Sequence, residues 1–442
     1  MLYYGDNGKI YETAEKIGEG GEGRVYNIKG QDSIVAKILK ETSMSTGIKM
    51  KALTTDFNWS PFIMENTMLP ITTLYDNAEH NGDCVGFIMN KLKCTDVLLD
   101  VYNQPKDRIS IYNQACIAKN ICQLVDEIHR TGYKNGEYTA IIGDFNPKNI
   151  FIDRRTGKVQ LTDTDSFHIT VNYRNKKRQF RCLRLYESLI HVIPEIIKVC
   201  RKENATLDKV RGETFTRFTD YFCVAYHVHY LLLGIDPYAL ESVKKIDNCT
   251  ESVTNVPNNA VLACAGNYVY TNARPGYRVP VRFPDFNVLT PKLQSLFKRA
   301  FQDGADDPSA RPTAAEFVTA LDEYISQLDY CCCSGWDHYI IHSYNKNYCE
   351  WCRVEHENHD MRQFYTKNVP FMTNTELIHC LDLELKDVFK GEICYNLGIR
   401  LINSDRVVSV SYLNRALKYF GNDMQPGVVK RRGQINKYLS MI

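Results

Sequence analysis

Short β-rich runs separated by turns dominate the first ninety residues. They are Lys9-Ile10-Tyr11, Arg24-Val25-Tyr26-Asn27-Ile28, Ser33-Ile34-Val35-Ala36-Lys37-Ile38 and Cys84-Val85-Gly86-Phe87-Ile88-Met89, and they predict a small antiparallel sheet. The period then changes. From Ser110 to His129 apolar residues recur at helical spacing (Ile111, Ala115, Ile117 or Ala118, Ile121, Cys122, Val125, Ile128), and they do so again over Tyr221 to Leu233 and Lys292 to Phe301. A β-rich part feeding a helical part is an α+β arrangement with a cleft expected near residue 90. After Leu328 comes a cysteine-rich, aromatic segment through Arg353 and then a polar stretch holding Pro370, which marks a domain boundary. Helical patterns return from Asn374, with breaks expected at Gly391, Gly398 and Asn422 to Gly427. No internal repeat or low-complexity tract interrupts the chain.

Composition changes this picture little. The 442 residues suffice for two or three domains. A hydrophobic content of 44% with 24% charged residues is ordinary for a folded, soluble protein. Lysine plus arginine number 54 against 52 acids, so no whole-molecule field gathers nucleic acid or an anionic membrane. The most apolar long stretch, Phe222 to Ile235, holds two histidines and falls short of the roughly 20 residues that span a bilayer, so it reads as a buried helix. Met1 to Asp6 lacks the pattern of a secretory signal. Sixteen cysteines without an export signal favour reduced thiols and one metal site over a disulfide framework. The expected compartment is the cytoplasm, with signal-independent export left open.

The chemistry-bearing residues come in a fixed order. Gly18-Glu19-Gly20-Gly21-Glu22-Gly23-Arg24-Val25 has the glycine pattern that lets a hairpin fold closely over nucleotide phosphates. A plain hairpin turn explains the same glycines. Val35-Ala36-Lys37 follows on the next strand, where Lys37 would point into the cleft and neutralise the α- and β-phosphates. Further on, Gly143-Asp144-Phe145-Asn146-Pro147-Lys148-Asn149 carries an Asp-x4-Asn spacing, and Asp163 leaves the apolar run Val159-Gln160-Leu161. Phosphoryl transfer calls for these parts: one carboxylate to orient and deprotonate the attacking hydroxyl, with an amide and a second carboxylate to hold magnesium. Asp144 is the candidate base, Asn149 and Asp163 are the candidate metal ligands, and Asn146 is placed to touch the γ-phosphate or the substrate hydroxyl. Turn-forming Asp and Asn would be the bland alternative.

With these four elements in order, residues 10 to about 328 resemble a protein kinase, and more closely the bacterial kinases grouped with helix-hairpin-helix DNA-binding proteins. Those similarly carry Gly-Asp in the catalytic loop and an Asp-Thr-Asp-Ser-Phe segment at the metal site. Ile193-Pro194-Glu195 resembles the end of an activation segment, Asp220-Tyr221-Phe222 the start of a long buried helix, and Ser309-Ala310-Arg311-Pro312-Thr313 the late arginine motif, so Arg311 is expected to pair with Glu195. The resemblance implies a two-lobed kinase fold, with an N-lobe over about 10–90 and a C-lobe over about 91–328. It also implies Mg-ATP (or Mn-ATP) as cofactor, with Gly18, Gly20, Gly23, Val25, Lys37, Met89 and Leu92 around the nucleotide. Met89 falls at the gatekeeper position, and Asn90-Lys91-Leu92 at a hinge whose backbone would bind adenine.

Three departures stand out. Ile142-Gly143-Asp144 lacks the arginine that clamps a phosphorylated activation segment. Asp165 replaces the glycine of Asp-Phe-Gly, as a metal ligand or as a structural hydrogen-bonding group. No glutamate for Lys37 occurs on the expected helix Ser45 to Thr55, which leaves Glu41, Asp56, Glu65 or a pairing built differently. The basic run Arg174, Lys176, Lys177, Arg178, Arg181 and Arg184 reads as a solvated loop ahead of a docking site for an acidic protein or nucleic acid.

In the segment 329–355, Cys349 and Cys352 form a zinc knuckle that Cys332 and His338 would complete as a structural site, with Cys333 a close substitute for Cys332. Reduced, packed cysteines are the other reading. Related kinases place a similar ribbon there. Residues 374–442 form a helical extension able to offer a surface to a protein partner. The leading expectation is a serine/threonine kinase acting on protein hydroxyls, including its own. The alternatives are a small-molecule kinase of the antibiotic-phosphotransferase type and a non-catalytic nucleotide-binding adaptor.

Overall fold

The computed structural model describes residues 1–103, 109, 111–181, 192–203, 215–242, 258–273, 276–280, 283–330, 339–341, 373–381, 387–422 and 426–441. The expected zinc ligands Cys332, His338, Cys349 and Cys352 lie outside them, as does Arg184. The chain divides into two compact units, Met1–Val279 with Leu289–Ser326, and Pro280–Val288 with Gln327–Ile442.

The first unit begins with six strands: β1 (Leu2–Gly5), β2 (Ile10–Glu19), β3 (Gly23–Ile28), β4 (Gln31–Leu39), β5 (Thr72–Tyr75) and β6 (Gly86–Asn90). The expected small antiparallel sheet is closed into a barrel in the order β1-β2-β3-β4-β6-β5. Closure comes from β1, whose Tyr4 and Gly5 pair with Tyr75 and Leu74, so neither end of the sheet is left unpaired. Tyr11, Ile28, Ala36, Leu74 and Ile88 form a buried cluster within the barrel. Helix α1 (Met44–Thr55) follows β4; Ser43 caps it by accepting the Thr46 N–H. The short α2 (Pro61–Asn66) is capped likewise by Ser60.

Beyond the barrel, β7 (Asp96–Val97), α3 (Leu98–Asn103) and α4 (Ile111–Thr131) lead to two small hairpin strands, β8 (Tyr133–Lys134) and β9 (Glu137–Tyr138). Then come β10 (Ala140–Ile141), β11 (Ile150–Ile152), β12 (Val159–Leu161), β13 (His168–Tyr173) and β14 (Lys176–Phe180). Strands β12, β11 and β7 form one sheet, and β10, β13 and β14 another. The rest of the unit comprises α5 (Pro194–Glu203), α6 (Arg217–Leu233), β15 (Glu241–Ser242), α7 (Asn259–Cys264), β16 (Tyr277–Arg278), α8 (Pro291–Phe301) and α9 (Ala314–Gln327). The core is α6. Thr216 and Thr219 close a reciprocal cap at its start, Gly234 ends it with a positive φ of 69°, and its residues from Thr219 to Ala225 are all buried. Ile121, Val125 and Ile128 of α4 and Phe297 and Phe301 of α8 are buried as well, and Phe222 meets Phe301 edge to face.

From Arg174 to Arg178 the basic run is a hairpin and not a loop. Arg174 and Asn175, with φ of 49° and 61°, form a two-residue turn between β13 and β14, where Tyr173 faces Lys176. Positive φ at both central residues matches the twist of a tight hairpin. The Arg178 guanidinium lies over the Phe180 ring, 5.0 Å from its centre.

In the second unit β17 (Leu328–Tyr330) pairs with β18 (Tyr339–Ile341), and the described residues after them form four helices: α10 (Asn374–Leu381), α11 (Asp387–Leu401), α12 (Arg406–Phe420) and α13 (Pro426–Leu439). Leu377, Ile393, Leu397, Leu413, Phe420 and Ile435 are in its core. Gly391 and Gly398, expected as breaks, lie inside α11. A β-carbon at Gly391 would sit 2.7 Å from the Phe420 ring, and one at Gly398 2.7 Å from Leu413. These glycines let two helices approach closely, so gain of contact offsets their poor helix propensity.

Arg311 and Glu195 pair as expected, through two bonds of 2.7 Å, with the Arg311 side chain wholly buried and also bonded to the Gly304 and Phe218 carbonyls. Glu195→Ala is expected to leave this guanidinium without its counter-charge and to cost about 3–5 kcal/mol in urea unfolding. In the second unit, Gly391→Ala is expected to cost about 1–3 kcal/mol by the same measurement, through the forced shift of Phe420.

Candidate active site

The phosphate-loop glycines are not equivalent. At Gly23 a β-carbon would come within 2.8 Å of the Ile38 carbonyl, so close packing of β3 on β4 requires glycine there. Gly20 faces open space, and at Gly18 the nearest atoms belong to Val25 at ordinary contact distance. The β2–β3 hairpin therefore leaves room beside it at the two positions where a phosphate would approach. Val25 pairs with Lys37 across β3 and β4, and Lys37 with Phe87 across β4 and β6. Met89, beside Val35, is buried at the end of β6.

After β6, backbone donors are consumed one by one. The Lys91 N–H donates to the Ser33 carbonyl (2.8 Å), and the Lys93 and Cys94 N–H groups share the Gln160 side-chain oxygen (2.8 and 2.9 Å). The half-buried Leu92 has no such partner for its N–H among the described residues. It is the donor this stretch leaves available.

The loop from β10 to β11 is held from below by α6. Asp220 accepts the N–H groups of Ile142 (2.8 Å) and Gly143 (3.0 Å), and its Oδ2 lies 2.8 Å from His129 Nε2. Gly143 has φ of 74°, and a β-carbon there would strike the His168 ring at 2.6 Å. His168 thus fills the place beside the catalytic loop that a larger residue at 143 would take. His227 supports the loop's far side: the Phe145 carbonyl can only accept, so Nε2 donates to it (3.0 Å) and Nδ1 accepts from the Tyr102 hydroxyl (3.0 Å). Asp144 is buried, and Asn146 donates to its Oδ1 (2.9 Å) while accepting the Lys148 N–H (2.9 Å). The Asn149 side chain donates to the Asp144 carbonyl (3.3 Å), and the Asn149 carbonyl accepts the Thr162 N–H (2.9 Å), tying this loop to the segment that carries Asp163. Burial pushes the Asp144 carboxyl up to about 6; the Asn146 bond works against this and the charge of Asp163 adds to it.

Asp163 adopts a left-handed conformation (φ 55°) and begins a one-turn 3-10 segment, Thr164–Ser166. Lys37 Nζ lies 2.9 Å from Asp163 Oδ1 and 2.7 Å from both oxygens of Asp165. Glu65, considered for Lys37, is instead 2.6 Å from Lys158. Lys49 of α1 donates to the Asp165 carbonyl. Burial alone pushes the Lys37 ammonium down, and the charges of Asp165 and Asp163 more than reverse it. Among the described residues, Glu22 at the hairpin tip, Asp163 and Asp165 bring carboxylate oxygens within 4.8 Å of one another. An all-oxygen donor set of this kind suits magnesium or manganese. Sequence reasoning misses Glu22, Lys49 and His168, and offers Asp165 as a metal ligand or a hydrogen-bonding group but not as the partner of Lys37. The Asp-x-Asp spacing was the available signal for the pair at 163 and 165.

No family model matches the chain. It is 27% identical over 364 residues to the protein kinase YegI of Escherichia coli K12, and 27% identical over 369 residues to that of strain O157:H7, covering 79% and 80% of this chain. The chain spans about half the length of these curated relatives (50% of each). No helix among the described residues is long and apolar enough to cross a membrane.

Three buried histidines give the unit a defined acid response. Burial pushes His168 and His227 down to about 4 and His229 to about 3. Each is neutral in the fold and protonates more easily once unfolded, so its stabilising contribution is complete above about pH 6.5 and declines as pH falls towards 4. Asp144, raised by burial, acts in the opposite direction. Unfolding midpoints in urea are expected to be less steeply pH-dependent between pH 7 and 4.5 for His227→Gln than for the unaltered chain. A sequence of over 300 residues similar to a bacterial protein kinase, in which Lys37 of β4 is joined to the Asp163 turn, relates this chain to bacterial kinase-like proteins.

Proposed function

We propose that the first unit is an ATP-dependent serine/threonine protein kinase, with the barrel as the N-lobe and the α4–α9 region as the C-lobe of a kinase fold. The observation that supports this most is the chain of contacts linking Lys37 to Asp163, Asp163 by its charge to Asp144, and Asp144 to Asn146 and Asn149. These residues are as much as 126 positions apart in sequence.

In this reading the Leu92 N–H donates to the adenine ring, and the glycine hairpin covers the phosphates. Lys37 offsets charge on the α- and β-phosphates, while Asn149 and Asp163 hold magnesium. The metal, when bound, neutralises charge developing on the transferred group. Asp144 orients a serine or threonine hydroxyl and takes its proton as the oxygen bonds to the γ-phosphorus; the bond to the bridging oxygen breaks, and ADP leaves with the electron pair. A carboxyl poised near 6 is ionised at neutral pH yet basic enough to accept that proton. Asn146, bonded to Asp144, fixes the carboxylate's rotamer. The β10–β13 pairing, Ile141 with His168 and Ala140 with Ile169, ties the segment after Asp163 to the catalytic loop without the arginine that Gly143 lacks. This supports activity without phosphorylation of that segment.

Labelled ATP and magnesium are expected to give phosphoserine or phosphothreonine on the protein itself or on an added protein substrate. Asp144→Ala is expected to lower the rate by about a hundredfold or more, and Asp163→Ala to abolish detectable transfer. Label appearing only on a small-molecule hydroxyl, or nucleotide binding without transfer, would contradict the assignment.

A further inference from the structure

We propose that Asp165 is the positioning residue for Lys37, supplying the anion that α1 does not, and that Lys49 of α1 holds Asp165 in turn. This inference deepens the phosphoryl-transfer reading and rests on it.

Helix α1 contains no acidic residue. The acids considered for the role are elsewhere: Glu65 on Lys158, Asp56 beside the Thr55 hydroxyl, and Glu41 exposed. What α1 turns inward is a cation, the buried Lys49, which donates to a backbone oxygen of the very residue that pairs with Lys37. The usual polarity of this contact is thereby reversed. A carboxylate after the metal-site aspartate meets the lysine directly, and the helix contributes a donor that fixes the carboxylate's backbone.

Geometry separates the two acids. Asp165 offers both oxygens to Lys37 at 2.7 Å and its side chain is 6% exposed, while Asp163 offers one at 2.9 Å and is 32% exposed. The left-handed backbone at Asp163 and the tight turn after it put residues 163 and 165 on the same side of the segment. A glycine at 165 would have no group to present. A buried ammonium that loses its counter-ion is strongly destabilised, so a lone Asp163 would have to serve both a divalent cation and Lys37. With two acids the work divides: Asp163, the more accessible, turns to the metal, and Asp165 stays on the lysine. Asp165 is therefore assigned to Lys37 and not to the metal.

The test begins with the nucleotide-free full chain, comparing urea midpoints of Asp165→Asn, Lys37→Met and the double variant. The expected result is a double variant no less stable than Asp165→Asn, because removing the ammonium relieves the loss of its partner. Additive shifts would overturn the pairing. With ATP, Asp165→Asn is expected to reduce turnover by about a hundredfold, as for a misplaced group, with partial recovery in Asp165→Glu. Its magnesium midpoint should stay unmoved, and it should cause no further loss in the Lys37→Met background. A magnesium midpoint shifted as far as in Asp163→Asn would make Asp165 a metal ligand and overturn the proposal. Failure of the underlying reading looks different: the unaltered chain transfers no phosphate at all, while the urea comparison still decides whether Asp165 belongs to Lys37.

Discussion

A buried ammonium must find negative charge or stay out of the interior, and in this chain the Lys37 ammonium finds it 126 and 128 residues further along the sequence. Lys37 belongs to the barrel; Asp163 and Asp165 belong to the segment that follows β12. Desolvation of a charge costs several kcal/mol, which only close, well-oriented carboxylates offset. The pair therefore ties β4 of the barrel to the turn that carries Asp163 and Asp165. Lys49 adds a second tie from α1 to the same turn. Take away the acids and Lys37 loses its reason to point inward, whereas the Lys49 bond is made to a backbone oxygen.

The catalytic loop has an independent support. Asp220 at the start of α6 accepts two successive loop N–H groups, and His227 two turns later on the same helix donates to the Phe145 carbonyl. Satisfying these buried backbone groups keeps the loop from paying for unpaired donors. It also anchors the residues on either side of Asp144 to α6. Burial raises the proton affinity of the Asp144 carboxyl while the Asn146 amide holds its Oδ1, which is what the proposed base requires.

Much of this was legible from the chain. The alternation around Arg24–Ile28 and Ser33–Ile38 and the helical period over Ser110–His129 report burial directly, so β3, β4 and α4 fall where the pattern puts them. Local patterns fail where the partner is distant. β1 has only four residues, and its pairing with β5 depends on a segment about seventy positions away, so barrel closure leaves no local mark. Gly391 and Gly398 look like breakers until Phe420 and Leu413 are seen to occupy the space a side chain would take. Lysine and arginine density around residue 176 marks exposure correctly but not the hairpin that Arg174 and Asn175, both at positive φ, turn between β13 and β14. No acid on α1 marks the partner of Lys37, because that partner is Asp165, 128 residues further along the chain and two positions after Asp163.

The account depends on Lys37, Asp144, Asn149 and Asp163 addressing one nucleotide. A crystal structure with magnesium and a non-hydrolysable ATP analogue tests this most directly. The account predicts the triphosphate under the β2–β3 hairpin, with Lys37 Nζ against the α- and β-phosphates, the metal on Asn149 and Asp163, and the Asp144 carboxylate facing the γ-phosphate. A nucleotide bound elsewhere, or one held here with Asn149 and Asp163 turned away from the metal, would contradict it.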